Sequence, residues 1–408
     1  PSESDKDQVY STDETSGNVI TYYDHFMEAA IDNMITTTAL YDAAVKDGLT
    51  TADVEDEVTE KITTIKQEAQ NYGYSYELYV TIRFGMYVTP SVFENCVART
   101  CIASKYLSDH PDTVSYTENQ LNAFYSGHAN ELDIFKYSYL CFEPVAVNET
   151  SNLTNKERQP QEAANLAAAK AQAECAQEAL RNGDNMARVV NSFAPSSYKE
   201  NIEDEGKNLP AIFSKWLSAD ARKAGDVTVI EDTSNSYFVV TFNSRYKDDA
   251  PTVNTRYIEI LAEISNGSST PTDKQMLAAR IKAEKLFSQW KSGTATEESF
   301  AELAKANSNS QWGGLTENAC KGEFIEVCDK WLFDSSRRSG DADIVEISIS
   351  DDLRNAHGYI VIYYVGQGLP KWKATAKDNL LSQDTQSWAK DLEVGYNVIQ
   401  RNGINYIG

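Results

Sequence analysis

Apolar residues recur at helical spacing through the first third of the chain. In the stretch "TTADVEDEVTEKITTIKQEAQ", Val54, Val58, Ile62, Ile65 and Ala69 form one stripe, the spacing of an amphipathic helix. Asp53, Glu55 and Asp56 crowd its first turn, where carboxylates complement the helix dipole. "TPSVFENCVARTCIASKYL" offers Thr89 as N-cap and Pro90 at the first helical position. "TENQLNAFYSG" spaces Thr117 and Gln120 as a capping box and is expected to end at Gly127. Short polar joints separate these segments, so residues 18–132 are expected to form a compact helical domain.

After residue 133 the period changes. "FKYSYLCFEP" reads as a strand ended by Pro144, and the Ala-rich "EAANLAAAKAQAECAQEALRNG" and then "MARVVNSF" read as helices. A short helix containing Lys-Trp-Leu follows, then strands around "VTVIED" and "SYFVVTFNSR". Beyond the linker "YKDDAPTVNT" the same order returns, from "RYIEILAEI" through "MLAARIKAEKLFSQWKSG" and "ESFAELAKAN" to "ADIVEISI" and "GYIVIYYVG". "KWLSADARKAGD" at 215–226 and "KWLFDSSRRSGD" at 330–341 share their internal spacing at an offset of 115. Ala173-Glu174 to Gly183 matches Ala283-Glu284 to Gly293 at an offset of 110, and Tyr237 matches Tyr359 at 122. Offsets that drift slowly along a common order indicate an internal duplication with loop insertions. Each copy is expected to be a β-α-α-α-β-β unit, an α+β arrangement of helices on a small antiparallel sheet. Gly225 and Gly340 are expected to supply left-handed caps to the Lys-Trp-Leu helices, with Trp216 and Trp331 packing at the helix starts.

Composition narrows the function. The chain of 408 residues is long enough for two or three domains. Its 37 Lys and Arg against 61 Asp and Glu leave a net charge of −24, which argues against nucleic acid and anionic lipid as partners. No run of about 18 apolar residues is present to span a membrane. Six cysteines do not make a disulfide scaffold. Cys96 and Cys101 fall on different sides of one helix, Cys141 and Cys175 read as free packing residues, and Cys320 and Cys328 are close enough in sequence to pair. Four scattered His and no Cys-x-x-Cys leave no zinc site, and no cofactor is expected. Residues 1–17 are acidic and nearly free of apolar groups, and read as a flexible linker, either a tag remnant or a tether.

The second copy resembles the parvulin-type peptidyl-prolyl isomerases. The resemblance is carried by Ala283 to Gly293, Phe300 to Ser308, Gly313-Gly314, Gly340-Asp341 and Gly358-Tyr359; the first copy matches more loosely. "AVKDGLTTADVEDEV", the helix ending "IASKYL", and "VSYTENQLNAFYSGHANELDIFKYSYL" resemble the N-terminal domain of SurA- and PrsA-type foldases. The resemblance implies a multidomain α+β protein: a helical chaperone domain at 18–132, completed by a C-terminal helix within 370–408, and parvulin-like domains at 133–247 and 252–368. It implies an extracytoplasmic foldase, at the cell surface or in the periplasm, that binds unfolded secreted polypeptides on apolar surface between its helical and parvulin-like domains. Membrane contact would run through an N-terminal lipid anchor outside this sequence, and a homodimer stays open.

The family's prolyl groove uses a His on the first strand, a His on the last, a nearby Cys or Asp, and Met and Phe against the proline ring. Carried onto this chain, the first His position falls near Tyr137 or Ser138 in the first copy and at Tyr257 in the second. The second His position falls at Phe238 and Ile360, the Phe at Ile212 and Val327, the Met near Asn208 and Glu323, and the Cys or Asp near Ser308 or Asn309. None of these keeps the family's side chain, so the isomerase residues are expected to be absent from both copies. His357 is expected to be an exposed turn residue before the last strand. Two other readings stay open: an active prolyl isomerase, and a surface module for one folded partner.

Overall fold

The computed structural model describes residues 8–12, 17–147, 154–264, 268–308, 314–350 and 355–399. It is a mixed α/β structure with a helical N-terminal region, two four-stranded antiparallel sheets and one two-stranded antiparallel pair among the described residues. The chain divides into two compact units, residues 1–117 with 378–408, and residues 118–377.

The first unit opens with strands β1 (Val9–Thr12) and β2 (Val19–Thr21), paired antiparallel. Within the stretch 1–17, read from the sequence as a flexible acidic linker, residues 9–12 form β1. The short "VYST" carries β-formers, and Tyr10 stacks on His25 at 3.9 Å and meets Tyr22 edge-on at 5.3 Å. Helices α1 (Tyr22–Lys46), α2 (Glu55–Asn71), α3 (Tyr76–Phe84) and α4 (Pro90–Asp109) follow. Local chemistry starts them: Thr21 and Asp24 close a capping box on α1, Ser75 caps α3, and Thr89 caps α4 with Pro90 behind it. The cap hydrogen bonds hold the carboxyls of Asp24 and Asp53 below the usual carboxylate range. Ala44, Val54, Cys101 and Ile102 form the unit's core.

The second unit begins with α5 (Glu118–Leu132), which runs past Gly127 and bends at His128. The expected stop at Gly127 fails because Leu132 is buried and extends the helix inward. Then come β3 (Ile134–Phe142), α6 (Asn155–Arg181), α7 (Met186–Phe193), β4 (Ser197–Glu205), α8 (Ala211–Leu217), β5 (Val227–Glu231) and β6 (Tyr237–Tyr246). The second series is β7 (Thr252–Leu261), α9 (Asp273–Ser292), α10 (Glu297–Asn307), β8 (Leu315–Cys320), α11 (Glu326–Leu332), β9 (Ala342–Ser350) and β10 (Asn355–Gln367). The strand orders are β4-β3-β6-β5 and β8-β7-β10-β9, the same topology twice. In the first sheet, α6 and α7 cover one face and α8 the other. In the second, α9 and α10 cover one face and α11 the other.

Each series is therefore β-α-α-β-α-β-β, not the β-α-α-α-β-β expected. The missed strands, β4 and β8, are sheet edges, and β4 is exposed along most of its length. An edge strand wet on both faces needs no apolar alternation, so its sequence "SYKENIEDE" carries no strand signal.

The repeated Lys-Trp-Leu idiom is a structural joint, though not the one expected. Trp216 and Trp331 end their helices instead of starting them. The Arg222 guanidinium lies 4.3 Å from the Trp216 ring and its Nε donates to the Trp216 carbonyl at 3.0 Å; Arg337 and Trp331 repeat this at 4.1 and 2.9 Å. Gly225 and Gly340, at φ +89° and +92°, lie well beyond the helix ends. Each turns the chain so that its N–H reaches the closing strand, at Phe242 O and Tyr364 O, both at 2.9 Å. An added Cβ would meet no close atom at either glycine, so only backbone strain opposes it. Gly340→Ala is expected to cost about 1–2 kcal/mol, read as a lowered urea midpoint with an unchanged slope. A stabilised variant would show that the positive φ is not required.

The six cysteines are free thiols, Cys320 and Cys328 included, so the pairing left open for them is not made. Cys328 packs in the core with Val253, Trp331 and Ile360, and burial pushes its thiol up to about 12. Cys175, expected to pack, is exposed, as is Cys96.

Helix α12 (Lys371–Leu392) closes the fold. In the second unit Trp372 is buried against Tyr125 at 5.1 Å, with the Lys247 ammonium over its ring at 3.2 Å. In the first unit Trp388 stacks on His110 at 3.7 Å, Tyr116 donates to Asp384 at 2.8 Å, and Tyr396 donates to Asp42 at 2.9 Å.

Candidate functional site

The strand register decides what stands where the prolyl groove was expected. Phe238 pairs with Cys141 and Ile230, and Ile360 pairs with Glu259 and Val345, so the two hold equivalent places. Tyr257 pairs with Ile362 and Tyr139 with Val240. Tyr139, not Tyr137 or Ser138, is therefore the first-sheet counterpart of Tyr257. Tyr137 is buried instead and donates its hydroxyl to Asp204 at 2.8 Å.

Apolar side chains pack at these positions. In the first sheet Tyr139, Phe213 and Phe238 interlock with ring centroids 5.3–5.8 Å apart, and Phe213 is only 3 % exposed. In the second, Ile360 packs with Cys328 and Trp331, and Tyr257 meets Phe324 edge-on at 6.1 Å. Ile212 is half-buried at the α8 contact, while Val327 is exposed on α11. Asn208 and Glu323 are exposed. Ser308 accepts the Glu259 backbone N–H at 3.1 Å; Asn309 and Gly313 lie outside the described residues.

His357 is not an exposed turn residue. The β9–β10 ladder extends back to Asn355, which places His357 inside the strand opposite Ser348. It is 8 % exposed, with Nδ1 2.9 Å from Ser348 Oγ and Nε2 2.9 Å from Asn355 Oδ1. Side chains alternate along a strand, so His357 shares the face of Tyr359 and Val361, opposite that of Ile360. It cannot serve a groove built around Ile360.

The open surface lies in the helical unit. α2, α3 and α4 pack on one another and leave a depression of about 650 Å³ with a second of about 380 Å³ adjoining it. On the α2 side Glu57, Glu60, Lys61, Thr64 and Ile65 line it, the i, i+3, i+4, i+7, i+8 set of one helix face. Phe93, Cys96, Val97 and Thr100 line the α4 side at the same period, Phe84 comes from the end of α3 and Val88 from the α3–α4 connection. Phe84 stacks on Phe93 at 4.6 Å while remaining 41 % exposed. The same stretch of chain exposes Leu78, Ile82, Met86, Tyr87 and Val92, with Met86 at 72 % and Tyr87 at 70 %. Contiguous apolar surface of this kind marks an interaction site.

The sequence reading named only Ile65 and Cys96 of these residues, and placed neither at a binding groove. The signal was there in "YELYVTIRFGMYVTPSVF", where apolar residues occur on more sides than one buried stripe needs. Among the described residues no cluster of His, Cys, Asp and Glu could hold a metal, and no helix is long and apolar enough to cross a membrane.

No protein-family model matches the chain, and no curated protein matches it. Among solved structures it is similar to the foldase protein PrsA from Streptococcus pneumoniae, at 14 % identity over 57 % of this chain and 77 % of that one, with a TM-score of 0.18. It is similar to the peptidylprolyl isomerase PrsA from Bacillus cereus at 10 % identity, over 97 % of this chain and 95 % of that one, with a TM-score of 0.22. A SurA-like chaperone structure from Campylobacter jejuni matches at 13 % identity over 59 % and 83 %, with a TM-score of 0.12.

Proposed function

We propose that this protein is an extracytoplasmic foldase-type chaperone that holds unfolded segments of secreted polypeptides and does not isomerise prolyl bonds. The observation that carries the reading is the open groove of α2, α3 and α4, whose Phe84, Phe93 and Val97 side is apolar and faces a charged α2 wall on a strongly acidic unit. Apolar surface binds the exposed hydrophobic side chains of unfolded chain, and the acidic exterior keeps the loaded complex dispersed. The two sheet-and-helix bodies, read as a tandem parvulin-like duplication, serve as scaffold.

Cys96 reports on the groove directly, because it lines it and is exposed. A reduced, unfolded client is expected to slow alkylation of Cys96 and leave the exposed Cys175 unaffected. The full chain should also suppress aggregation of several unrelated clients. If clients aggregate unhindered and Cys96 stays open, the reading fails.

Catalysis of prolyl isomerisation is expected at background. The barrier to rotation is about 18–20 kcal/mol, and Phe238 and Ile360 offer no hydrogen-bonding group to a twisting amide. The double variant Tyr257→His with Ile360→His is expected to remain inactive, because Cys328 and Trp331 occupy the space beside Ile360. Rate acceleration by the unmodified protein on a short proline peptide would overturn this.

A further inference from the structure

The groove's charged wall says more about what it holds. The helical unit contains 24 Asp and Glu against nine Lys and Arg. Several of those cations are already engaged. Lys66 lies over Tyr76 at 5.1 Å, Arg83 over Phe84 at 5.9 Å and Arg99 over Tyr41 at 4.5 Å, while Lys105 pairs with Asp109 and Lys390 with Glu393.

The carboxylates facing the groove are not engaged in this way. Glu57 and Glu60 are exposed, line the depression, and take part in no ion pair among the described residues. Lys61 lines the same wall, so the groove lining itself carries two carboxylates and one ammonium, and the Lys105 ammonium, already paired with Asp109, also feels Glu57. Glu55 and Asp56 share the first turn of α2 with Glu57 and add to the negative charge of that helix end.

We propose that the groove selects segments in which apolar residues are flanked by lysine or arginine. This rests on the client-binding reading and names the substrate class of that site. The apolar floor of Phe84, Phe93 and Val97 takes the hydrophobic side chains, and the α2 wall takes the flanking cations. A second copy of the chain is a poor occupant, since it would bring an equally acidic unit to the same wall. An acidic or neutral segment gains only the apolar contact.

The test uses the full chain and three fluorescent peptides with one shared apolar sequence, flanked by Lys, Ser or Glu. Affinity is read by anisotropy, and seating in the groove by protection of Cys96 from alkylation. The Lys-flanked peptide is expected to bind about tenfold tighter than the Ser-flanked one at low salt, with the gap closing as salt rises. In Glu57→Gln/Glu60→Gln the ratio of the two affinities should fall toward one. Equal binding of the Lys and Ser peptides, each protecting Cys96, would overturn the selectivity and leave client binding standing. A ratio untouched by the double variant would overturn the assignment to the α2 wall. Failure of all three peptides to protect Cys96 would overturn the client-binding reading itself. Protection that rises with protein concentration alone would make the groove a self-interface and overturn both.

Discussion

Phe84→Ser combined with Val92→Ser is expected to weaken binding of unfolded clients by about tenfold or more, with little loss of stability. Both side chains border the groove and are already partly in water, at 41 % and 49 % exposure. Folding gains little from residues left so exposed, whereas a bound chain would cover both. Fully burying a Phe or Val side chain is worth about 1.5–3 kcal/mol, so losing both anchors removes the centre of the contact. The measurements are client affinity by anisotropy and the thermal midpoint of the free protein. A midpoint shifted by a few degrees with tenfold weaker binding is the expected pair. Unchanged binding would show that clients are held elsewhere.

Asp133→Ala is expected to destabilise the second unit by about 3 kcal/mol. Asp133 sits where α5 hands over to β3, and its carboxylate is buried. One oxygen accepts the Tyr125 hydroxyl at 2.5 Å and the other accepts Arg245 Nε at 2.6 Å. Arg245 also lies over the Phe135 ring at 5.0 Å. Burial and the bond to Asp133 hold the Tyr125 phenol above its ordinary range, so it stays a donor. Without the carboxylate, the only ion-pair partner left to the largely buried guanidinium among the described residues is Asp220, exposed and 3.9 Å away. An unpaired cation in that position is costly, while Asp133→Asn can still accept from Tyr125 and should cost less. Chemical denaturation of both variants checks the order. A loss under about 1 kcal/mol for Asp133→Ala would mean the pair contributes little beyond its own desolvation cost.

The Lys-Trp-Leu idiom shows how far a repeated motif can be read. Its spacing identified two equivalent joints, because Trp and Arg interact six residues apart at nearly the same distances each time, and each Gly bonds the closing strand at the same distance. Its location was misjudged, since whether a Trp begins or ends a short helix depends on the strand that follows. His357 was misjudged for a related reason. A histidine before glycine reads as a turn, and only the pairing of β10 with β9 carries it into a ladder and buries it.

What the sequence by itself determined here is whatever is settled by neighbours along the chain. The caps at Thr21, Ser75 and Thr89, the apolar stripe of α2, the buried strands and the left-handed glycines at 225 and 340 belong to that class. Their energies act within a turn or two, so the pattern is written locally. Tertiary structure alone decided the edge strands β4 and β8, the first of which is exposed along most of its length and needs only its partner's backbone. It also decided the face on which His357 lies, the Asp133–Arg245 pair 112 residues apart, and the groove. The groove exists where α2, α3 and α4 pack together and leave part of their lining side chains in water. That depends on three helices at once, and no stretch of any one helix carries it.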